Sequence, residues 1–239
     1  EPSSIVFTAG VDTRTTLVPD NDPSDGTYHQ IHWVNGDKIN VDGVEFSTED
    51  GGAKAYFTTK ESFVEDNDYV GTELSSVTIP AAQQAAEGDF HSAAAVSVAV
   101  SNTTTLDFKN VTSILKFQVP ASAASVTISA DEPLAGKVSV DYNGEPTWEN
   151  VNAVNSVTVT GEFMPEVDYY VTILPGTKTN FTVRIDGVVS RVATTVNAKR
   201  SMVMNMGVLP EPIGNGISFN GSVYEISSAD GLAAALSNN

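Results

Sequence analysis

Apolar residues along this chain recur at every second position in short runs, and turn residues cut the runs apart. In NFTVRIDG (180–187), Phe181, Val183 and Ile185 alternate with Thr182, Arg184 and Asp186 before an Asp-Gly pair. That is the period of a strand with one buried face, ending in a turn. In SILKFQVP (113–120), Leu115, Phe117 and Val119 point inward and Lys116 and Gln118 outward. Pro120, which has no N–H for a ladder, closes that run. SVTISA, GKVSVDYNG, NSVTVTGEF, DYYVTILPG and KRSMVMNMGVL follow the same rule at regular spacing. Earlier in the chain SIVFTAG, HQIHWVNG, DKINVDG, AKAYFTT, SSVTIP and AVSVAVSN read likewise. Only AAQQAAEG (81–88) predicts a helix, of about two turns. The expectation is an all-β protein of two consecutive β-sandwiches.

Composition agrees. Valine (31), threonine (24) and isoleucine (11) outweigh leucine (9), and β-branched side chains fit a pleated surface. With 239 residues, 41% hydrophobic and 18% charged, the chain can bury a core in one large domain or two ordinary ones. Its net charge, 12 − 30 = −18, excludes a non-specific nucleic-acid binder and disfavours anionic membranes. No apolar run approaches the ~20 residues of a membrane span. EPSSIVFTAG lacks the basic and apolar regions of a signal peptide. The absence of cysteine excludes disulfides, thiolate nucleophiles and Cys-ligated zinc.

The charge also divides the chain. Residues 1–104 hold 4 bases and 17 acids, net −13, whereas 105–210 hold 8 and 10, net −2. The predicted organisation is an acidic N-terminal β-sandwich over 1–104 and a C-terminal β-sandwich over 105–210, joined at SNTTT (101–105). Residues 211–239 form a linker and tail, or the start of a truncated further module. In that tail ISFNGSVYEI reads as a hairpin around Asn220-Gly221, and SSADGLAAALSNN begins like a helix with Ser228 as its cap.

Candidate chemistry is sparse. His29 and His32 stand three apart in one strand, so they face opposite ways and do not share a metal; His91 is alone. H-E-x-x-H, G-x-S-x-G, P-loop and G-x-G-x-x-G motifs are all missing, and none of the 30 acids sits in a recognisable glycosidase context. No catalytic residue, cofactor or enzyme activity is predicted. Asp20, Asp22 and Ser24 have the 1-3-5 spacing of a calcium loop. However, Asp25 stands where the sixth-position glycine belongs and Ile31 where the twelfth-position glutamate belongs. A solvated turn is the reading there, with Asp20, Asp22 and Asp25 as weak calcium candidates. Met202, Met204 and Met206 form a packing stripe at strand spacing. Trp33, Tyr69, Tyr169 and Tyr170 are read as aromatics of the core or of a sugar platform. Trp148, near Pro146 and Glu149 in a loop-like stretch, is the candidate ligand-facing aromatic.

The order of segments carries a resemblance. FTAGVDTRTTL is followed by WVNGDKINV, FSTEDGGAKAYF, TIPAAQ, LDFKNVTSILKFQV, ISADEPLAGKVSV and YYVTILPGTKTNFTVRI. Over about residues 5–209 this series resembles the fimbrillin-like surface proteins of Bacteroides and Porphyromonas relatives. The resemblance implies two transthyretin-like Greek-key sandwiches and a non-enzymatic, lipid-anchored outer-membrane protein of fimbriae that serves adhesion. It also implies assembly with other fimbrial subunits by strand exchange. Cleavage after a basic residue, for which Arg14 of Thr-Arg-Thr is the candidate, would free a strand formed by Ile5, Val6, Phe7, Thr8 and Ala9. Another subunit's strand would then fill the vacated groove. The tail beyond Pro212 departs from a simple donor strand, and no lipidated cysteine is present. The alternative is a monomeric surface module that binds a host or bacterial glycan, or calcium.

Overall fold

The computed structural model describes residues 5–9, 16–18, 30–52, 54–59, 63, 69–71, 74–94, 96–143, 145–212, 217–219 and 224–226. The first strands are β1 (Phe7–Ala9), β2 (Thr16–Val18), β3 (Gln30–His32), β4 (Lys38–Val41), β5 (Val44–Ser47), β6 (Ala55–Phe57) and β7 (Tyr69–Gly71). Next come β8 (Val77–Ile79), β9 (Ala82–Gln84), β10 (Ser97–Ser101), β11 (Thr105–Leu106) and β12 (Lys109–Asn110). The longer strands follow: β13 (Ser113–Gln118), β14 (Ala123–Ser129), β15 (Ala135–Asn143), β16 (Glu145–Val154) and β17 (Ser156–Phe163). After them run β18 (Tyr169–Ile173), β19 (Gly176–Ile185), β20 (Val188–Ala198) and β21 (Val203–Val208). A hairpin of β22 (Ile217–Phe219) and β23 (Tyr224–Ile226) ends the described chain. Among the described residues the helical pieces are two 3-10 turns, Leu74–Ser76 and Ser92–Ala94. The protein is all-β.

Two apolar cores organise these strands. The first lies between a three-stranded sheet, β11-β1-β6, and a five-stranded sheet, β12-β10-β7-β4-β5. It is largely aromatic, built on Phe7, Trp33, Phe46, Phe57, Tyr69 and Phe108. The second core gathers side chains from β18-β13-β21, from β20-β19-β14-β17-β9 and from β16-β15-β8. The period-2 reading holds in its centre: Phe181, Val183 and Ile185 are buried, as are Leu115, Phe117 and Val119. The Asp186-Gly187 turn takes φ of 48° and 81°, the pair of positive values that a two-residue hairpin of this hand needs. The Asp186 carboxylate also accepts bonds from the Ala124 and Ser125 N–H groups.

One expectation changes. Residues 81–88 are not helical: Ala82–Gln84 is strand β9, parallel to β17. Pro80 and Gly88 leave too few residues for a helix to hold itself together. The free edge of β17 supplies partners instead, with Thr158 N–H donating to the Ala81 carbonyl (2.8 Å) and Ala85 N–H to that of Thr160 (2.9 Å). Strand pairings also run across residue 104. β8 and β9 pair with β15 and β17, whereas β11 and β12 pair back onto β1 and β10.

Candidate functional site: the slot of the first strand

β1 fills the middle of its sheet. It runs parallel to β11, with Thr8 opposite Thr105 and Ala9 opposite Leu106. It runs antiparallel to β6, with Phe7, Thr8 and Ala9 opposite Phe57, Tyr56 and Ala55. Alternation along five residues sorts the side chains: Phe7 and Ala9 are fully buried, Ile5 is half-buried, and Val6 is 38% exposed. The Phe7 ring meets Phe46, Phe63 and Tyr69 edge-on at centroid distances of 5.0, 5.6 and 5.0 Å. Such contacts add about 0.5–1.5 kcal/mol each to the burial itself. Removing β1 opens the edges of β6 and β11 together and leaves an aromatic hole at Phe46, Phe63 and Tyr69. Unpaired backbone flanking an apolar slot recognises one kind of ligand, an extended strand with alternating apolar side chains.

Of the other candidates, Arg14, Asp20, Asp22, Asp25 and His29 lie outside the described residues. Trp148, expected in a loop, stands in β16 opposite Val140; its half-buried ring packs on the second core and lies 5.7 Å from the Lys178 Nζ. Met204 and Met206 pack against that core, whereas Met202 is 47% exposed. His32 and His91 are half-buried and far apart in the chain. Among the described residues no group of three or more His, Cys, Asp or Glu is placed to hold a metal, and no helix is long and apolar enough to cross a membrane.

Sequence reasoning missed Lys178 altogether. Its side chain is buried (1% exposed), and the ammonium donates to the carbonyls of Pro133 (2.8 Å) and Pro175 (3.1 Å). Burial pushes its pKa down to about 8, and the Glu132 charge opposes that shift. The alternation that would mark Lys178 as solvent-facing breaks at Asn180, whose φ of 50° turns the strand over between Phe181 and Lys178. Sequence reasoning also missed the second covered face of β13. Ile114 is buried there beside Phe90 and Tyr170. Burial, with the Asp168 and Asp89 charges, pushes the Tyr170 pKa up to about 12. Lys116 pairs with Asp168 at 2.7 Å nearby.

The strands and cores define an all-β sandwich protein whose first strand is a central, fully packed element. No family model matches the chain, and no curated protein matches it. Among solved structures it is similar to a candidate cell adhesion protein of Bacteroides uniformis, at 13% identity and a TM-score of 0.47, covering 97% of this chain and 100% of that one. A candidate cell adhesion protein of Bacteroides ovatus aligns at 10% identity and 0.46, covering 95% and 99%. The major pilin of Streptococcus pyogenes aligns at 10% identity and 0.22, covering 88% and 99%.

Proposed function

We propose that this is a non-enzymatic, fimbrillin-like cell-surface protein that serves adhesion and joins other fimbrial subunits by exchanging the strand in the β1 slot. The carrying observation is the position of β1. The first described strand of the chain is hydrogen-bonded on both edges, and its inward residues Phe7 and Ala9 are fully buried. Residues 10–15 connect β1 to β2, so a single cut after Arg14 detaches β1 from everything that follows it. The slot left behind matches a strand with an aromatic residue at the Phe7 position and a small one at Ala9. The resemblance of segment order over residues 5–209 points to the same surface role, with export to the outer membrane and a lipid anchor.

Limited digestion with a trypsin-like protease tests this reading. The expected result is cleavage after Arg14, release of the peptide ending at Arg14 that carries Ile5–Ala9, and a ladder of SDS-resistant oligomers. A cleaved protein that remains a stable monomer with β1 still bound rules out strand exchange.

A further inference from the structure

We propose that residues 74–94 are an arm with which the N-terminal sandwich completes the C-terminal one, so that the two unfold as a single cooperative unit. This goes beyond the strand-exchange reading and does not depend on it. The starting point is the connection between β7 and β10, which are hydrogen-bonded neighbours with Gly71 opposite Ala99, Val70 opposite Val100 and Tyr69 opposite Ser101. Antiparallel neighbours need only a tight turn. Here the chain instead leaves the first sheet after Gly71, crosses to the second core, and returns at Ser97.

On that excursion the arm closes three open edges. β8 adds to β15, with Val77, Thr78 and Ile79 opposite Val138, Lys137 and Gly136. β9 adds to β17. The third edge belongs to β18, the last strand of its sheet, and there a side chain takes the place of a strand. The Gln83 carboxamide, fully buried, donates from Nε2 to the Thr172 carbonyl (2.8 Å) and accepts the Thr172 N–H on Oε1 (3.1 Å). A primary amide presents the same donor and acceptor as a peptide unit, so Gln83 satisfies the backbone as a neighbouring strand does. Five residues on, Gly88 N–H donates to the Asp168 carbonyl (2.9 Å).

The arm cannot leave cheaply, because buried backbone groups without partners are costly. It is also held at both ends, by β7 and β10 of the first sheet. β10 itself serves both cores: Val98 is buried in the second and Ala99 in the first. Loss of either sandwich therefore strips the other of contacts it needs.

Calorimetry and native-state hydrogen exchange on the full chain test this. The wild type is expected to show one transition with equal calorimetric and van't Hoff enthalpies. The amides of Thr158 and Thr172 are expected to exchange through the same opening as those of β7 and β10. In Gln83→Ala, Thr172 protection is expected to fall about 10- to 100-fold and unfolding to separate into two steps. Two independent transitions in the wild type overturn the proposal, as does a Gln83→Ala variant with unchanged protection in β17 and β18. If Gln83→Ala does not fold, the wild-type exchange pattern decides alone, with common opening in support and separate opening against.

Discussion

Phe7→Ala measures how firmly the first strand is held. The Phe7 side chain is fully buried and touches three aromatic rings, of which Phe46 and Tyr69 are themselves packed in paired strands and cannot collapse far into the space it leaves. Phe-to-Ala changes in cores cost about 3–5 kcal/mol, through lost transfer energy and the cavity left behind. Three edge-on partners place this site at about 4 kcal/mol. Against a typical domain stability of about 5–15 kcal/mol, that is a large fraction. Val6→Ala is the internal control. It lies one residue away, just before β1, is 38% exposed, and is expected to cost under about 0.5 kcal/mol. Urea denaturation gives both values, and hydrogen exchange at β6 and β11 shows where the loss falls. A Phe7→Ala cost within about 1 kcal/mol of wild type, or equal to that of Val6→Ala, refutes the idea that β1 is anchored by its aromatic slot.

Two further changes probe the second core. Lys178 has a folded pKa of about 8 against an ordinary 10.5, so between those values the unfolded chain holds a proton that the folded chain lacks. Stability therefore rises with pH through that window, by roughly 3 kcal/mol at most, and the full burial cost applies below it. Lys178→Met is expected to lose this rise, and a thermal-denaturation series from pH 7 to 10 in which both proteins share one slope contradicts the assignment. The raised Tyr170 pKa acts oppositely, since the folded state keeps its proton above pH 10, and sets the upper limit of the useful range. Gly136 has φ of +100°, and a Cβ there would lie 2.7 Å from the Asn152 carbonyl oxygen and 2.8 Å from the Ala153 Cα. Gly136→Ala must push β15 from β16, and is expected to lower stability by more than about 1 kcal/mol. An unchanged Tm tells against that close approach.

The strands of the second half were legible because each has one wet face and one dry face. Alternation correctly placed Leu115, Phe117 and Val119, and Phe181, Val183 and Ile185, on the buried face, and Asp186-Gly187 marked its turn. Reading failed where two surfaces compete for one segment. Ile114 sits on the nominally polar face of β13, but Phe90 and Tyr170 cover it from outside. Trp148 looked like a loop aromatic beside Pro146, yet nothing local shows that Lys178 comes to lie over its ring. The slot itself was half legible. The I-V-F-T-A pattern announces a strand with Phe7 and Ala9 inward, but not that β6 and β11, some fifty and a hundred residues on, flank it.

Local patterning alone determined the all-β character, most strand positions and the absence of recognisable catalytic motifs, because these depend on side-chain period and residue type. Pairing was decided only in three dimensions. A strand edge accepts any neighbour that completes its hydrogen bonds, so an alanine- and glutamine-rich segment with helical propensity became β9 on the edge of β17. For the same reason the charge step at residue 104 does not coincide with the division of the cores. Charge is set by solvation of loops, whereas the cores are set by which edges and apolar faces meet.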